Sequence, residues 1–161
     1  MRVLLVRHAQ AGERTAGHHD LYRPLSPEGH QRAGDLAKLL VGAMPTRILS
    51  SPASRCVQTV EPLAAATGLE VETNPDLWEG TMIPHVLSLL TQHRTGTTVA
   101  CSHGDIIPAV IESMAADGAT IIGRGCEKGS VWVADFDDGW TRATYLDRSQ
   151  LELPISPARP A

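Results

Sequence analysis

The sequence predicts an α/β fold, a three-layer α/β/α sandwich around a mostly parallel central sheet. Short apolar runs, such as residues 3–6 and 99–101, alternate with segments whose apolar residues recur at helical spacing. Proline and glycine mark the junctions between these segments. The 161 residues fit one domain of ordinary size, which we expect at residues 1–147, followed by a tail at residues 148–161.

In the first half of the chain, the pattern predicts three strands and two helices. Ser26 followed by Pro27 is typical of a helix N-terminus, and Gly68 is typical of a helix end. A long polar loop separates the first strand from the first helix, and loops of this length are usually functional. The predicted strands are residues 2–7, 46–50 and 69–73, and the predicted helices are residues 27–41 and 51–66.

The second half continues the alternation and ends in a predicted hairpin. The sequence Asp137-Asp138-Gly139 supplies its turn, between strands at residues 130–136 and 141–146. The remaining predicted elements are a helix at residues 84–93, a strand at 99–101 and a helix at 105–116.

Composition excludes several classes of function. A net charge of -4 argues against a general nucleic-acid binder, and no apolar run approaches the ~18 residues of a membrane span. The three cysteines, at positions 56, 101 and 126, form no CxxC pair and cannot all pair in disulfides. We therefore expect a cytoplasmic protein with neither a nucleic-acid nor a membrane partner.

Cationic and imidazole side chains follow three of the predicted strands. Arg7 and His8 follow the first, Arg55 comes one turn into the helix after the second, and His103 follows the strand at 99–101. Taken singly, each residue is as readily explained by a surface ion pair or a structural hydrogen bond. Ligands bind at the carboxyl ends of parallel strands, however, and guanidinium forks match phosphate oxygens. The combination therefore predicts a site for a phosphoryl group.

Three motifs in chain order resemble those of the histidine phosphatase superfamily, also called the phosphoglycerate-mutase-like family. They are Val6-Arg7-His8-Ala9, Ser51-Pro52-x-x-Arg55-x-x-Gln58-Thr59 and Ser102-His103-Gly104-Asp105. The resemblance covers essentially the whole chain and implies the phosphoglycerate-mutase-like fold. It also implies that His8 is a nucleophile that becomes phosphorylated and that Arg7, Arg55, His103 and Gly104 bind the phosphate, with no metal and no other cofactor.

One position departs from the family pattern. Ala9 stands where the family usually has glycine. Glycine there would suit a positive φ or a close approach to phosphate, and alanine tolerates only the second comfortably. We expect a slightly altered loop.

The resemblance also points to an acidic residue after the third strand, and the segment Asp76-Leu77-Trp78-Glu79-Gly80 supplies two candidates. We favour Glu79 as the general acid over Asp76. A bound phosphate beside Trp78 would help the carboxyl to keep its proton. A solvated loop carboxylate is the alternative.

Other polar residues are weaker candidates. Arg23 and Lys128 could reach the substrate, although a solvated surface position is the more usual explanation of both. The run His18-His19-Asp20 has metal-ligand residue types, but adjacent side chains rarely converge on one ion. We expect a substrate-facing loop there and no metal.

The substrate remains open between several classes. Arg7, Arg55 and His103 are spaced by 48 residues each, which leaves little chain to cap the pocket. This favours a small SixA-like phosphatase acting on a phosphohistidine protein or a small phosphomonoester, over a phosphoglycerate-type mutase that must exclude water.

A second resemblance competes with the SixA type. Three segments are similar to the phosphatase domain of some Nudix fusions, which would make a nucleotide the substrate. They are Glu61-Pro62-Leu63-Ala64, Ile107-Pro108 and Lys128-Gly129-Ser130-x-Trp132-Val133. A non-catalytic domain that binds phosphoryl ligands is a further alternative. The partner is in each case a phosphorylated small molecule or phosphoprotein, and the oligomeric state is not predicted.

Overall fold

The computed structural model describes residues 1–17, 19–147, 149 and 155–156. The described chain alternates strands and helices as expected. The strands are β1 (Arg2–Arg7), β2 (Arg47–Ser50), β3 (Val71–Thr73), β4 (Thr97–Ser102), β5 (Thr120–Ile122), β6 (Val131–Phe136) and β7 (Trp140–Leu146). The helices are α1 (Pro27–Leu40), α2 (Ser54–Thr67), α3 (Ile83–Leu90) and α4 (Ile106–Ala116).

The strands form one mixed, mostly parallel sheet. In the described part of the chain its order is β3-β2-β4-β1-β6-β7-β5. Strand β1 pairs in parallel with β4, and β4 in parallel with β2, so these three strands end at the same edge. Strand β6 runs antiparallel to both of its neighbours.

Alternate residues of the strands pack into two separate hydrophobic cores, one on each face of the sheet. Val3 and Leu5 of β1 pack with α3 and α4, whereas Leu4 and Val6 pack with α1 and α2. The period of two along a strand turns successive side chains to opposite faces, and helices cover both. The predicted three-layer sandwich is confirmed.

The helix boundaries follow local sequence signals, with two differences. Helix α3 ends at Leu90 and not at residue 93, because Thr91, with φ -99° and ψ 3°, leaves the helical conformation. The Ser26 hydroxyl accepts a hydrogen bond from the Gly29 amide at 3.2 Å, which caps α1 as Ser-Pro predicts. Helix α2 begins at Ser54, not at residue 51, because Ser51 extends the edge of the sheet: its amide donates to the Cys101 carbonyl. Gly68, with φ 73°, ends α2.

The short strand β5 is absent from the sequence-based prediction, and the tail is partly anchored. Three residues between Gly118-Ala119 and Gly123 give too short a pattern to predict a strand, and only pairing with β7 defines β5. In the tail, Ile155 is buried against the α1 and α2 core, and its amide donates to the Leu39 carbonyl. The rest of the predicted tail lies outside the described residues, apart from residues 149 and 156.

No helix among the described residues is long and apolar enough to cross a membrane.

Two glycines of α1 provide a matched test of its packing. A Cβ at Gly29 would lie 2.0 Å from the Gln10 carbonyl oxygen, whereas a Cβ at Gly34 would meet no atom within 4 Å. We expect Gly29→Ala to lower the free energy of unfolding by roughly 1–3 kcal/mol, since backbone must move. Gly34→Ala should raise it by about 0.5–1 kcal/mol, because alanine is the better helix former. Urea unfolding midpoints of both variants measure this, and equal effects would contradict the close packing at Gly29.

Candidate active site

Backbone hydrogen bonds join the ends of β1, β2 and β4 into one edge. The His8 amide donates to the Ser102 carbonyl at 3.1 Å, and the Ser51 amide donates to the Cys101 carbonyl at 2.9 Å. The residues that leave these strands are therefore neighbours although they are far apart in sequence. This edge brings together Arg7, His8, Arg55 and His103, as the sequence predicts.

His8 is buried and has a defined tautomer. Its Nδ1 lies 2.7 Å from the Ala9 carbonyl oxygen, which can only accept, so Nδ1 carries the proton. The lone pair is consequently on Nε2. Burial lowers the pKa of His8 to about 3. The Ala9 carbonyl opposes this shift, while the nearby guanidinium and imidazole groups reinforce it. The ring is therefore neutral at physiological pH and available as a nucleophile.

His103 faces His8 and is held on both ring nitrogens. The two ring centroids are 5.5 Å apart. Nε2 lies 2.8 Å from the Ser51 hydroxyl oxygen, and Nδ1 lies 3.2 Å from Glu79 Oε1. The Trp78 ring packs edge-on at 5.3 Å between centroids. These contacts fix the orientation of the second imidazole.

Arg55 has no exposed surface and pairs with carboxylates at both ends of its guanidinium. Nη1 lies 3.0 Å from Asp20 Oδ2 and donates to the Asp20 carbonyl oxygen at 2.9 Å. Nη2 donates to Glu79 Oε1 at 3.0 Å and lies 3.3 Å from His103 Nδ1. Nε has no hydrogen-bond partner among the described residues, so a donor is available to an anion.

Arg7 lies across Gly104. A Cβ on Gly104 would be 2.8 Å from Cζ of Arg7, so only glycine lets the guanidinium rest there undisturbed. Nη1 donates to the Cys126 carbonyl, and Nε is buried with no hydrogen-bond partner in the described chain. Gly104 therefore acts in the site through Arg7.

The structure separates the two acidic candidates. Glu79 contacts both Arg55 and His103, and its side chain is 40% exposed. Asp76 lies in a short 3-10 turn, Pro75–Leu77, and makes no ion pair among the described residues. The Gly80 amide donates to Asp105 Oδ2 at 2.8 Å, which ties the Glu79 loop to the start of α4. These contacts favour Glu79 over Asp76 as the candidate general acid.

Ala9 has a structural role that glycine would not fill. It is fully buried in a small cluster with Leu25 and Ala33, and its φ is not in the positive region. Its amide donates to the Thr59 hydroxyl at 3.0 Å, and its carbonyl accepts from His8. The backbone there needs no glycine, so the expected altered loop is not required.

Asp20 is the principal site residue that the sequence reading missed. It lies within 3.4 Å of Arg14, 2.8 Å of Arg23 and 3.0 Å of Arg55. The hydrogen bond from Arg23 lowers the pKa of Asp20. The sequence places Asp20 next to two histidines, a run of metal-ligand residue types. Its ion pair with Arg55 of α2 is visible only in the structure.

Of the weaker candidates for substrate or metal binding, Arg23 and Lys128 lie near the site, and the described histidines show no metal-binding arrangement. Arg23 joins the site through Asp20, and its Nη1 donates to the Gly12 carbonyl. Lys128 is half-buried, and burial together with the charges of Arg7, Arg23 and Arg55 lowers its pKa. His19 caps the 3-10 turn Asp20–Tyr22, whereas His18 lies outside the described residues. Among the described residues no group of three or more His, Cys, Asp and Glu side chains is arranged to hold a metal ion.

The chain is similar to known proteins in sequence and in fold. The family model of the histidine phosphatase superfamily (branch 1) matches residues 3–84. The 8-oxo-(d)GTP phosphatase of Mycolicibacterium smegmatis is 33% identical over 145 residues, covering 85% of this chain and 45% of that protein. The chain thus spans about half the length of this curated relative.

Solved structures share the fold over most of their length. A protein assigned as phosphohistidine phosphatase SixA in Agrobacterium tumefaciens has a TM-score of 0.68 and 27% identity, covering 83% of this chain and 90% of that one. The histidine phosphatase SixA complexed with tungstate has a TM-score of 0.71 and 23% identity, covering 91% and 94%. The alpha-ribazole phosphatase of Shigella flexneri has a TM-score of 0.70 and 16% identity, covering 97% and 100%. The last two likenesses establish the fold alone.

Burial of His8 in its neutral form predicts that the protein loses stability in acid. Between pH 6.5 and pH 3 the unfolded chain binds a proton at His8 that the folded chain does not, so stability falls as the pH falls through this window. We expect the wild type to lose roughly 2–3 kcal/mol more than His8→Gln between pH 6.5 and pH 4.5. Denaturant unfolding at each pH measures both proteins. Equal acid sensitivity would mean that His8 is not held neutral by burial.

Proposed function

The chain belongs to the histidine phosphatase superfamily, and we propose that it hydrolyses a phosphoryl group through a covalent phosphohistidine on His8. The observation that carries this proposal is a neutral His8 ring with Nε2 unprotonated, enclosed by Arg7, Arg55 and His103. A nucleophile and a preorganised anion site in one pocket are what phosphoryl transfer requires.

In the first step His8 Nε2 attacks phosphorus. The bond from Nε2 to phosphorus forms while the bond from phosphorus to the leaving atom breaks, and the electron pair stays on that atom. The leaving atom is an oxygen in a phosphomonoester and an imidazole nitrogen in a phosphohistidine protein. Arg7 and Arg55 each have an unpartnered Nε donor in the described chain to offer the phosphoryl oxygens. His103, whose ring centroid is 5.5 Å from that of His8, stabilises the charge on these oxygens. Because these groups are already held in place, little reorganisation opposes the transition state.

Glu79 is the proposed proton carrier. It gives a proton to the leaving oxygen or nitrogen in the first step and takes one from water in the second. Water then attacks phosphorus, the P–N bond breaks and its electron pair returns to Nε2. The contacts of Glu79 with Arg55 and His103 keep it beside the reacting group. The scheme uses side chains alone.

The substrate classes proposed first are a phosphohistidine protein and a small phosphomonoester. The likeness to SixA structures supports the former. A nucleotide is a second candidate, because the curated relative named 8-oxo-(d)GTP phosphatase aligns over most of the chain. A mutase would instead pass the phosphoryl group to a second acceptor, and a binding domain would release no phosphate.

Trapping the intermediate tests the nucleophile. Wild-type protein quenched during turnover of a phosphate-labelled substrate should carry acid-labile, base-stable label, and His8→Ala should carry none. His30→Ala is the control, because His30 is exposed on α1 and lies outside the pocket. Unlabelled wild type together with an active His8→Ala would contradict the mechanism.

Leaving-group dependence tests the acid. We expect Glu79→Gln to lower kcat by about 10²–10⁴-fold for an alkyl phosphate, whose leaving oxygen needs a proton. For a nitrophenyl phosphate, whose leaving group departs as a stable anion, the loss should be much smaller. Asp76→Asn is the matched control, and steady-state kinetics measure all three proteins. A leaving-group effect in Asp76→Asn instead would transfer the role to Asp76.

A further inference from the structure

A cavity opens beside Arg55 and His103. It has a volume of about 560 Å³ and is lined by parts of residues 13–24 and by Glu79. Because Glu79 also contacts Arg55 and His103, the cavity and the catalytic pocket share a wall. We call this cavity the loop groove. Its size is that of sites for small organic ligands, whereas an imidazole leaving group would fill only a small part of it.

The loop groove has an exposed aromatic ring in its wall. Tyr22 is 71% exposed, which is unusual for a large aromatic side chain, and it lines the loop groove. The His19 ring lies 6.1 Å away between centroids, inclined at 61°. Most of the Tyr22 ring is thus accessible to a planar group.

Two cationic side chains, Arg23 and Lys128, lie near the site in addition to the arginines proposed to bind the reacting phosphoryl group. Arg23 lines the loop groove, and its Nε is held by Asp20 at 2.8 Å. Lys128 has no carboxylate within salt-bridge distance in the described chain. The Gly129 amide donates to the Arg7 carbonyl at 3.0 Å, so the adjacent Lys128 lies beside the end of β1. Burial lowers the pKa of Lys128, and the charges of Arg7, Arg23 and Arg55 lower it further. A second anion between Arg23 and Lys128 would relieve this repulsion.

We propose that the substrate is a nucleoside diphosphate, with its terminal phosphoryl group at His8, its second phosphate between Arg23 and Lys128, and its base stacked on Tyr22. The inference rests on the proposed function. His8 would take the terminal phosphoryl group, the bond from phosphorus to the bridging oxygen would break, and a nucleoside monophosphate would leave after that oxygen is protonated. Water would then release inorganic phosphate from His8.

Substrate comparison is the first arm of the test. The probes are guanosine diphosphate, guanosine monophosphate, a phosphohistidine protein and phosphoramidate, whose ammonia leaving group is too small to reach the loop groove. We expect kcat/KM for the diphosphate to exceed that for the monophosphate and for the phosphoprotein by at least about tenfold. Phosphoramidate turnover with no preference for the diphosphate would overturn the substrate assignment and leave the proposed function standing. Turnover of none of the four, with no label on His8, would overturn both.

Variants form the second arm. Tyr22→Ala should raise KM for guanosine diphosphate by about tenfold, as expected for loss of base stacking, while Tyr22→Phe should restore it. Lys128→Gln should raise KM for the diphosphate more than for the monophosphate, because only the diphosphate places an anion there. Lys38→Gln, an exposed lysine on α1, is the charge-matched control and should change neither value. An unchanged KM for the diphosphate in both Tyr22→Ala and Lys128→Gln would overturn the proposal.

Discussion

The buried charge of Arg55 is the constraint to which the rest of the site is fitted. A guanidinium without exposed surface costs several kcal/mol unless carboxylates and hydrogen-bond acceptors compensate it. Asp20 and Glu79 provide that compensation from two loops that are far apart in the sequence. One ion-pair network therefore fixes α2, the loop after β1 and the loop after β3 relative to one another. The same network leaves Arg55 Nε free for a phosphoryl oxygen.

The parallel pairing of β1, β4 and β2 decides which residues can share the pocket. Strand β4 lies between the other two, so His103 at its end falls between the residues that follow β1 and β2. Hydrogen bonds across the ends of the strands keep this spacing. Rigid strands below a set of loops are the usual way in which an α/β fold positions reacting groups. Packing in the two cores on the faces of the sheet offsets the free-energy cost of burying the polar site.

Positive charge serves two purposes in this arrangement. It attracts the phosphoryl group, and it disfavours protonation of His8, which burial already opposes. In the proposed mechanism, the side chains that bind the phosphoryl group therefore also keep the nucleophile neutral. The carboxylates of Asp20 and Glu79 prevent these cations from repelling one another, and both also line the loop groove. Under the proposed assignment, binding of an extended substrate and chemistry at His8 would depend on one set of charges.

The sequence by itself determined the layered fold, most element positions and the four residues at the strand ends, because these follow from local periodicity and from the rule that ligands bind beyond parallel strands. Arg7, His8, Arg55 and His103 each stand next to a readable strand or helix signal. Tertiary structure alone decided the rest. Asp20 became a partner of Arg55, Ala9 became core, and residues 120–122 became a strand only through contacts with distant parts of the chain. No local pattern encodes such contacts, since the free energy of each depends on what the fold brings next to it.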